Sequence, residues 1–385
     1  MNAQTVLDNV LQVADSFATQ RTERQIRRDL DRADFDALAA AGYPLVAVPV
    51  AQGGLWVDLP TSTRTICELL RTLAQGDPSV ALVSAMHPAV AALWICQQQA
   101  PAPYKDAWTE QVAWVTQTAL DGHFWGTITS EPGSGGDVGR TRATAKADGN
   151  GSFLLTGEKH FGSGSGVAAY MVTTAIPEGE SEADWFFLDT RDAKWDGSTG
   201  MTLRAEWDGH GMTATQSHSF VFDGDPATRL AWPGNLRAVS GVAGAMISAV
   251  FVAVVIGTAQ SAVEAARKQI SRRKDALAPY ETVEWARIEN ESWLMAQAYE
   301  GMLAAIERKG SGAGLDALQA KIAISELAES VTQRICRVIG GGTFHRASHF
   351  GAAFEDVRAL GFLRPPWVLA YDQLIARIWA ENAQG

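Results

Sequence analysis

Thr129-Ser130-Glu131-Pro132-Gly133-Ser134-Gly135-Gly136-Asp137 is a polar, glycine-rich turn that ends an apolar run, His123 to Ser130. Beyond it the chain continues as short alternating or apolar segments, Arg140 to Ala147, Phe153 to Thr156, Tyr170 to Ile176, Trp185 to Leu188 and Ser217 to Phe222, separated by Gly, Asp and Asn turns. Upstream, helical periodicity runs almost without interruption, broken at Gly42-Tyr43-Pro44 and Gly53-Gly54, with a strongly apolar helix around Ser79 to Gln97. Downstream of Pro233 the helical period returns in long segments, Val239 to Ser271, Thr282 to Arg308, Leu315 to Ile339 and Pro366 to Ala383, with a break at Gly310 to Gly314. The pattern predicts an α+β protein with a helical domain over 1–121, a β domain over 122–233 and a helix bundle over 234–385.

A chain of 385 residues, 46% hydrophobic and 19% charged, can bury a large core and shows no low-complexity segment. A net charge of −11 argues against nucleic-acid binding, which needs clustered Lys and Arg. The basic cluster Arg267 to Lys274 is short, and reads equally as a solvated helix end or an anion contact. Cys67, Cys96 and Cys336 lie far apart, so neither a metal site nor a disulfide framework is expected. The N-terminus, with Val6, Leu7, Val10, Leu11, Ala14 and Phe17 at helical spacing, differs from a signal peptide, and a cytoplasmic location is expected. Ala238 to Val263 carries no charge and is long enough to cross a bilayer. Its small residues, Gly241, Gly244, Ala249 and Gly257, and its continuation into a charged segment from Glu264 predict a buried bundle helix and no membrane span.

The 129–137 turn resembles the T-E-P-x-A/S-G-S-D signature of the acyl-CoA dehydrogenase superfamily, and the likeness extends along nearly the whole chain. Gly42 to Gly54, Gly157-Glu158-Lys159, Gly209 to Asp223, Gly340-Gly341 and Asp356 resemble further family motifs; Glu355 stands where the family's R-D pair has its Arg. The resemblance implies the family's fold, in which a helical domain, a β-barrel-like domain and a four-helix bundle enclose a flavin, usually in a homotetramer. An isoalloxazine ring needs hydrogen-bonding groups at its edges and an apolar wall against its face. Thr129 and Ser130 can serve its edges, and by resemblance Phe161 packs on it and Ser163 hydrogen-bonds it. Arg273 matches the arginine that reaches a neighbouring subunit's pyrophosphate, while Arg337, Gly340 and Gly341 fall near the adenine site. Ala276-Leu277 replaces the family's Phe-Gly and Arg337 its Gln, so FAD is the first expectation and FMN the second.

A family dehydrogenase needs a carboxylate to remove the substrate's α-proton. Ungapped alignment from Gly340 places that residue at Arg364, whose guanidinium cannot accept a proton, and the alternative base position falls on Ile247. Lys159-His160-Phe161-Gly162-Ser163-Gly164 and Asp356 to Tyr371 instead resemble the family's flavin-monooxygenase branch, of the dibenzothiophene monooxygenase kind. That branch takes reduced flavin from a separate reductase and works in a pocket that excludes water. His87 matches a helix histidine which those enzymes place near the flavin, and with Ser163 it is the catalytic candidate. Trp94, Gly135, Gly136, Arg364 and Trp367 are expected to line the substrate pocket, with Trp125 close by, and the substrate to be a small aromatic or heterocycle. His345 and His349 read as surface loop residues, and Leu360 and Leu363 stand near the branch's C-terminal histidine positions. Two alternatives remain: an atypical acyl-CoA dehydrogenase using Asp372 or a base carried by the substrate, and a flavin-binding partner without catalysis.

Overall fold

Polar caps and early prolines set where the N-terminal helices begin. The computed structural model describes residues 1–97 and 99–382, the last two by backbone alone. The helices of the first part are α1 (Ala3–Thr19), α2 (Arg21–Arg24), α3 (Arg32–Ala40), α4 (Leu59–Gly76), α5 (Pro78–Ile95) and α6 (Lys105–Leu120). The Asp58 side chain caps α4 through Thr61 N–H, Asp77 caps α5 through Val80 N–H, and each helix has a proline in its first turn. Asp77 also pairs with Arg24 at 2.7 Å, and Arg24 forks onto Asp34, tying α2, α3 and α5 together.

Seven strands follow: β1 (Trp125–Thr127), β2 (Thr144–Ala147), β3 (Phe153–Gly162), β4 (Tyr170–Pro177), β5 (Asp184–Asp189), β6 (Met201–Ala205) and β7 (His218–Arg229). Pairing runs from β4 through β2, β3, β7 and β5 back to β4, so the sheet closes on itself as a small barrel, with β1 beside β4 and β6 beside β7. Closure leaves few free edges. Ile128, Leu155, Met171, Phe186, Leu188, Phe220 and Phe222 belong to the separate core of this domain. Sequence periodicity missed β6, a five-residue strand paired only with β7 and mostly solvent-facing, and it read β1 too long.

The third part holds α7 (Asn235–Ser271), α8 (Pro279–Lys309), α9 (Gly314–Ile339), α10 (His349–Val357), α11 (Ala359–Phe362) and α12 (Trp367–Asn382). α7 runs through the centre, packed by α4, α5, α8 and α9. It approaches α4 so closely that a Cβ at Gly257 would stand 2.1 Å from the Arg71 carbonyl oxygen, which admits only glycine there. By length and composition α5 and α7 are both apolar enough to cross a membrane, yet 89% and 72% of their most apolar windows are buried inside the protein, as core helices are. Helix α10 went unread because nine residues give too little periodicity. Capped by Ser348, it places His349 against Ser261 of α7, correcting its reading as a surface loop residue; His345 is exposed. Ala383 lies outside the described residues.

Candidate functional site

A cavity of about 1060 Å³ opens where the three parts meet. One face of α5 lines it with Leu82, Met86, Ala89, Val90 and Leu93, a helical stripe of apolar residues. Gly241, Gly244, Ile247 and Phe251 of α7 form a second wall, and no atom stands within 4 Å of where a Cβ on Gly241 or Gly244 would be, so these glycines leave open volume. The barrel contributes Thr129, Ser130, Phe161, Ser163 and Trp207, and the chain before α12 contributes Leu363 to Pro366.

The 129–137 turn is held from beneath by a buried ion pair. Lys159, fully buried on β3, donates to Glu131 Oε1 at 2.6 Å, to the Thr174 carbonyl at 2.6 Å and to Thr141 Oγ1 at 2.9 Å. Glu131 also accepts from the backbone N–H of Arg142 and of Ala143 and from the Thr141 hydroxyl. Burial pulls the Lys159 ammonium down to about 8 against the pull of Glu131. Burial pushes the Glu131 carboxyl up, but Lys159 and Thr141 outweigh it and hold the group below its usual value. Glu131 is therefore an anchor and not a free base. Above it, Gly136 takes φ +82°, and a Cβ there would come within 2.6 Å of Pro366, so the turn and the segment before α12 close on each other only through glycine.

Phe161 occupies a bulge in the β3–β7 pairing, with φ +58° and 56% of its surface exposed. A bulky residue in the left-handed region is strained by about 1–3 kcal/mol, a cost found at ligand clamps. Its ring meets Trp207 edge-on at 6.1 Å, and the two form an apolar corner of the cavity. The bulge is tied to the turn by His160 N–H donating to the Ser130 carbonyl. Behind it runs a chain of hydroxyls: Ser163 Oγ lies 2.8 Å from Ser217 Oγ, Ser217 Oγ 2.7 Å from Thr215 Oγ1, and Thr215 donates to the Met212 carbonyl. With that last donor fixed, Ser217 donates to Thr215 and Ser163 to Ser217, so Ser163 Oγ meets the cavity as an acceptor. A planar heteroaromatic ring against Phe161, edged by Thr129, Ser130 and Ser163, fits this arrangement, so the residues present suit a flavin.

Arg364 projects into the cavity from the bend before α12 and donates to Thr129 Oγ1. Burial lowers its pKa to about 10, partly offset by Asp137, so it stays charged at neutral pH. Lys321, buried in α9, donates to the Pro365 carbonyl at 2.7 Å and pins the bend. Of the lining carboxylates, Glu131 pairs with Lys159 and Glu355 with Arg358 at 2.6 Å, while Asp137 accepts Gly139 N–H at 2.9 Å and has no ion pair among the described residues.

Seven of the residues expected to bind cofactor, catalyse or line the pocket thus meet in one cavity: Thr129, Ser130, Gly135, Gly136, Phe161, Ser163 and Arg364. The others do not. His87 lies on the opposite face of α5, fully buried, with Nδ1 accepting from Trp125 N–H at 3.3 Å and Nε2 3.2 Å from the Pro44 carbonyl; burial drops its pKa to about 4. It is a neutral core residue, and His210, at the rim, is the one cavity-lining histidine among the described residues. Trp94 is buried behind the wall, packed edge-on against Trp125 and bonded to Gln111. Trp367 packs on Leu318 and Ile322 instead of facing the cavity. Arg273, Arg337, Gly340 and Gly341 sit together at a distant end of the bundle, where Arg273 pairs with Glu281 and donates to the Val338 carbonyl. Asp372 is exposed on α12 and does not line the cavity. Sequence reasoning missed Trp207, Thr215 and Ser217, whose proximity to Phe161 and Ser163 follows only from barrel closure.

Comparisons with known proteins agree with this architecture. Residues 126–224 match the acyl-CoA dehydrogenase, middle domain. The probable FMNH2-dependent monooxygenase SfnC of Pseudomonas putida is 26% identical over 377 residues, 90% of this chain and 88% of the relative. The amino sugar nitrososynthase DnmZ of Streptomyces peucetius is 26% identical over 243 residues, and the match spans only 57% of that relative. Among solved structures, FMN-bound TdsC from Paenibacillus sp. A11-2, a dibenzothiophene monooxygenase, superposes with a TM-score of 0.78 at 20% identity over 96% of each chain. The chain therefore carries a segment like the acyl-CoA dehydrogenase middle domain and is similar, over most of its length, to proteins described as flavin-dependent monooxygenases.

Proposed function

We propose that this chain is a flavin-dependent monooxygenase that oxidises a small aromatic or heterocyclic substrate with reduced flavin and oxygen. The observation that carries the reading is the cation in the cavity at the position expected for the base: Arg364 stands there, while Glu131 is held by Lys159 and Glu355 by Arg358. Deprotonation next to a carbonyl then lacks the carboxylate a dehydrogenase has at that position. Reduced flavin, when bound, would supply the electrons that activate oxygen. The protein's share is to seat the ring against Phe161, to line the site with the apolar α5 and α7 walls, and to accept a hydrogen bond from the ring edge at Ser163 Oγ, whose own O–H is held by Ser217 and Thr215.

FMN is the favoured flavin. A relative is named as FMNH2-dependent and a structural neighbour is FMN-bound, which supports this choice. A separate reductase would then supply FMNH2. A cytoplasmic homo-oligomer, a tetramer by family likeness, fits the exposed Tyr280, Val283 and Trp293 on α8. The test is to load the protein with FMN, reduce it without oxygen, mix with oxygenated buffer and follow flavin absorbance by stopped flow. A long-lived transient distinct from oxidised and reduced flavin is expected. Immediate reoxidation, together with bleaching of oxidised flavin by an acyl-CoA, would return the chain to the dehydrogenases. Reoxidation with no response to any acyl-CoA would leave a flavin-binding partner.

A further inference from the structure

We infer that Arg364 is the receptor for an oxyanion on the substrate, so that this enzyme takes a small aromatic or heterocyclic acid, such as a carboxylate or sulfinate, in preference to a neutral ring. The inference rests on the monooxygenase reading for its site and adds the substrate's charge.

The guanidinium projects into a cavity whose other walls are largely apolar: Leu82, Met86 and Val90 on α5, Ile247 and Phe251 on α7. Its one hydrogen bond runs to Thr129 Oγ1, and its remaining N–H groups have no partner among the described residues. No carboxylate among those residues lies within ion-pairing distance of it. Asp137 acts on it only from beyond ion-pairing distance, partly offsetting its burial. Of the other cavity-lining cations, Arg358 is paired with Glu355 and Arg377 is exposed at the rim beside Gly314, so neither substitutes. A buried guanidinium without a counter-ion is costly, and a ligand that brings one relieves that cost. A planar oxyanion also accepts two parallel N–H bonds from the guanidinium fork, which a neutral group of the same shape accepts less well. The pinning of Pro365 by Lys321 holds the fork in place, making Lys321 a positioning residue.

The experiment titrates oxidised, FMN-loaded protein at neutral pH with benzoate, benzenesulfinate and benzamide by calorimetry, with FMN affinity measured separately by flavin fluorescence. Both anions are expected to bind about ten-fold or more tightly than the amide, about 1.4 kcal/mol. Arg364→Gln should bring the ratio close to one and change FMN affinity less than about three-fold, while Arg364→Lys, a point charge without the fork, should fall between. If Arg364→Gln disturbs folding, Lys321→Met provides the second reading: the preference should drop while benzamide binding holds. The inference is overturned if the wild type binds neither anion or shows no preference, if Arg364→Gln keeps it, or if that variant loses FMN instead. Oxygen plays no part in these titrations, so a missing oxygen transient beside an intact anion preference would sink the monooxygenase reading alone.

Discussion

Replacing Lys159 by methionine should be among the most damaging single changes available in the β domain. The side chains of Lys159 and Glu131 are 0% and 4% exposed, so solvent does not screen their interaction. Breaking a buried pair by removing one partner costs about 3–5 kcal/mol, because the other charge is left uncompensated. Here the lower end applies: Glu131 retains the N–H groups of Arg142 and Ala143 and the Thr141 hydroxyl, whereas the Thr174 carbonyl loses its charged donor. We expect Lys159→Met to lose about 3 kcal/mol in urea unfolding followed by tryptophan fluorescence, and to weaken FMN binding because the 129–137 turn loses its support. Glu131→Gln in the same chain should restore about 1–2 kcal/mol, the coupling of two touching partners. A loss below about 1 kcal/mol for Lys159→Met, or strict additivity of the two changes, would refute the reasoning.

Phe161→Gly should raise stability by up to about 1 kcal/mol by relieving the left-handed strain, while weakening FMN binding several-fold through loss of the stacking face; both follow from one melt and one fluorescence titration. His87→Leu should cost about 1–3 kcal/mol by stranding Trp125 N–H and the Pro44 carbonyl, without moving the pH profile of substrate oxidation. Because folding lowers His87 from 6.5 to about 4, the unfolded chain binds its proton first; the wild type loses stability as pH falls through that window, and the leucine variant lacks this component of the slope. Asp356 behaves oppositely. Burial raises it from 3.8 to about 7, so its contribution is full below pH 4 and is lost as pH rises through 7, and Asp356→Asn should be the more stable protein at pH 8, by up to about 4 kcal/mol, with the difference gone near pH 4 in thermal melts.

The three-part order of elements was legible because long helices either carry many turns of period, as α4 and α9 do, or run apolar for longer than a strand can, as α5 and α7 do. Short elements set by partners were not, as β6 and α10 demonstrate. Within the site, residues near the 129–137 turn and the 157–163 strand were readable because a local motif fixes them. Ser217 and Trp207 come from later strands and loops brought over by closure of the barrel. His87 failed for a geometric reason: on one helix a rotation of about 100° per residue separates a wall residue such as Met86 from a core residue beside it, and periodicity in an almost wholly apolar helix does not say which face is which. Arg273, Arg337, Gly340 and Gly341 were matched to a site that one chain does not assemble.

The bend that carries Arg364 bears on how such an enzyme changes its chemistry over time. Its backbone is fixed by Pro365 and Pro366, by the Lys321 ammonium on the Pro365 carbonyl and by the contact of Pro366 with Gly136; none of these depends on what residue 364 is. Mutation there can exchange the functional group offered to the cavity while leaving its address unchanged. Drift at this position is thus tolerated by the fold and consequential for the reaction, which makes residue 364 the natural first site for redirecting the enzyme by design.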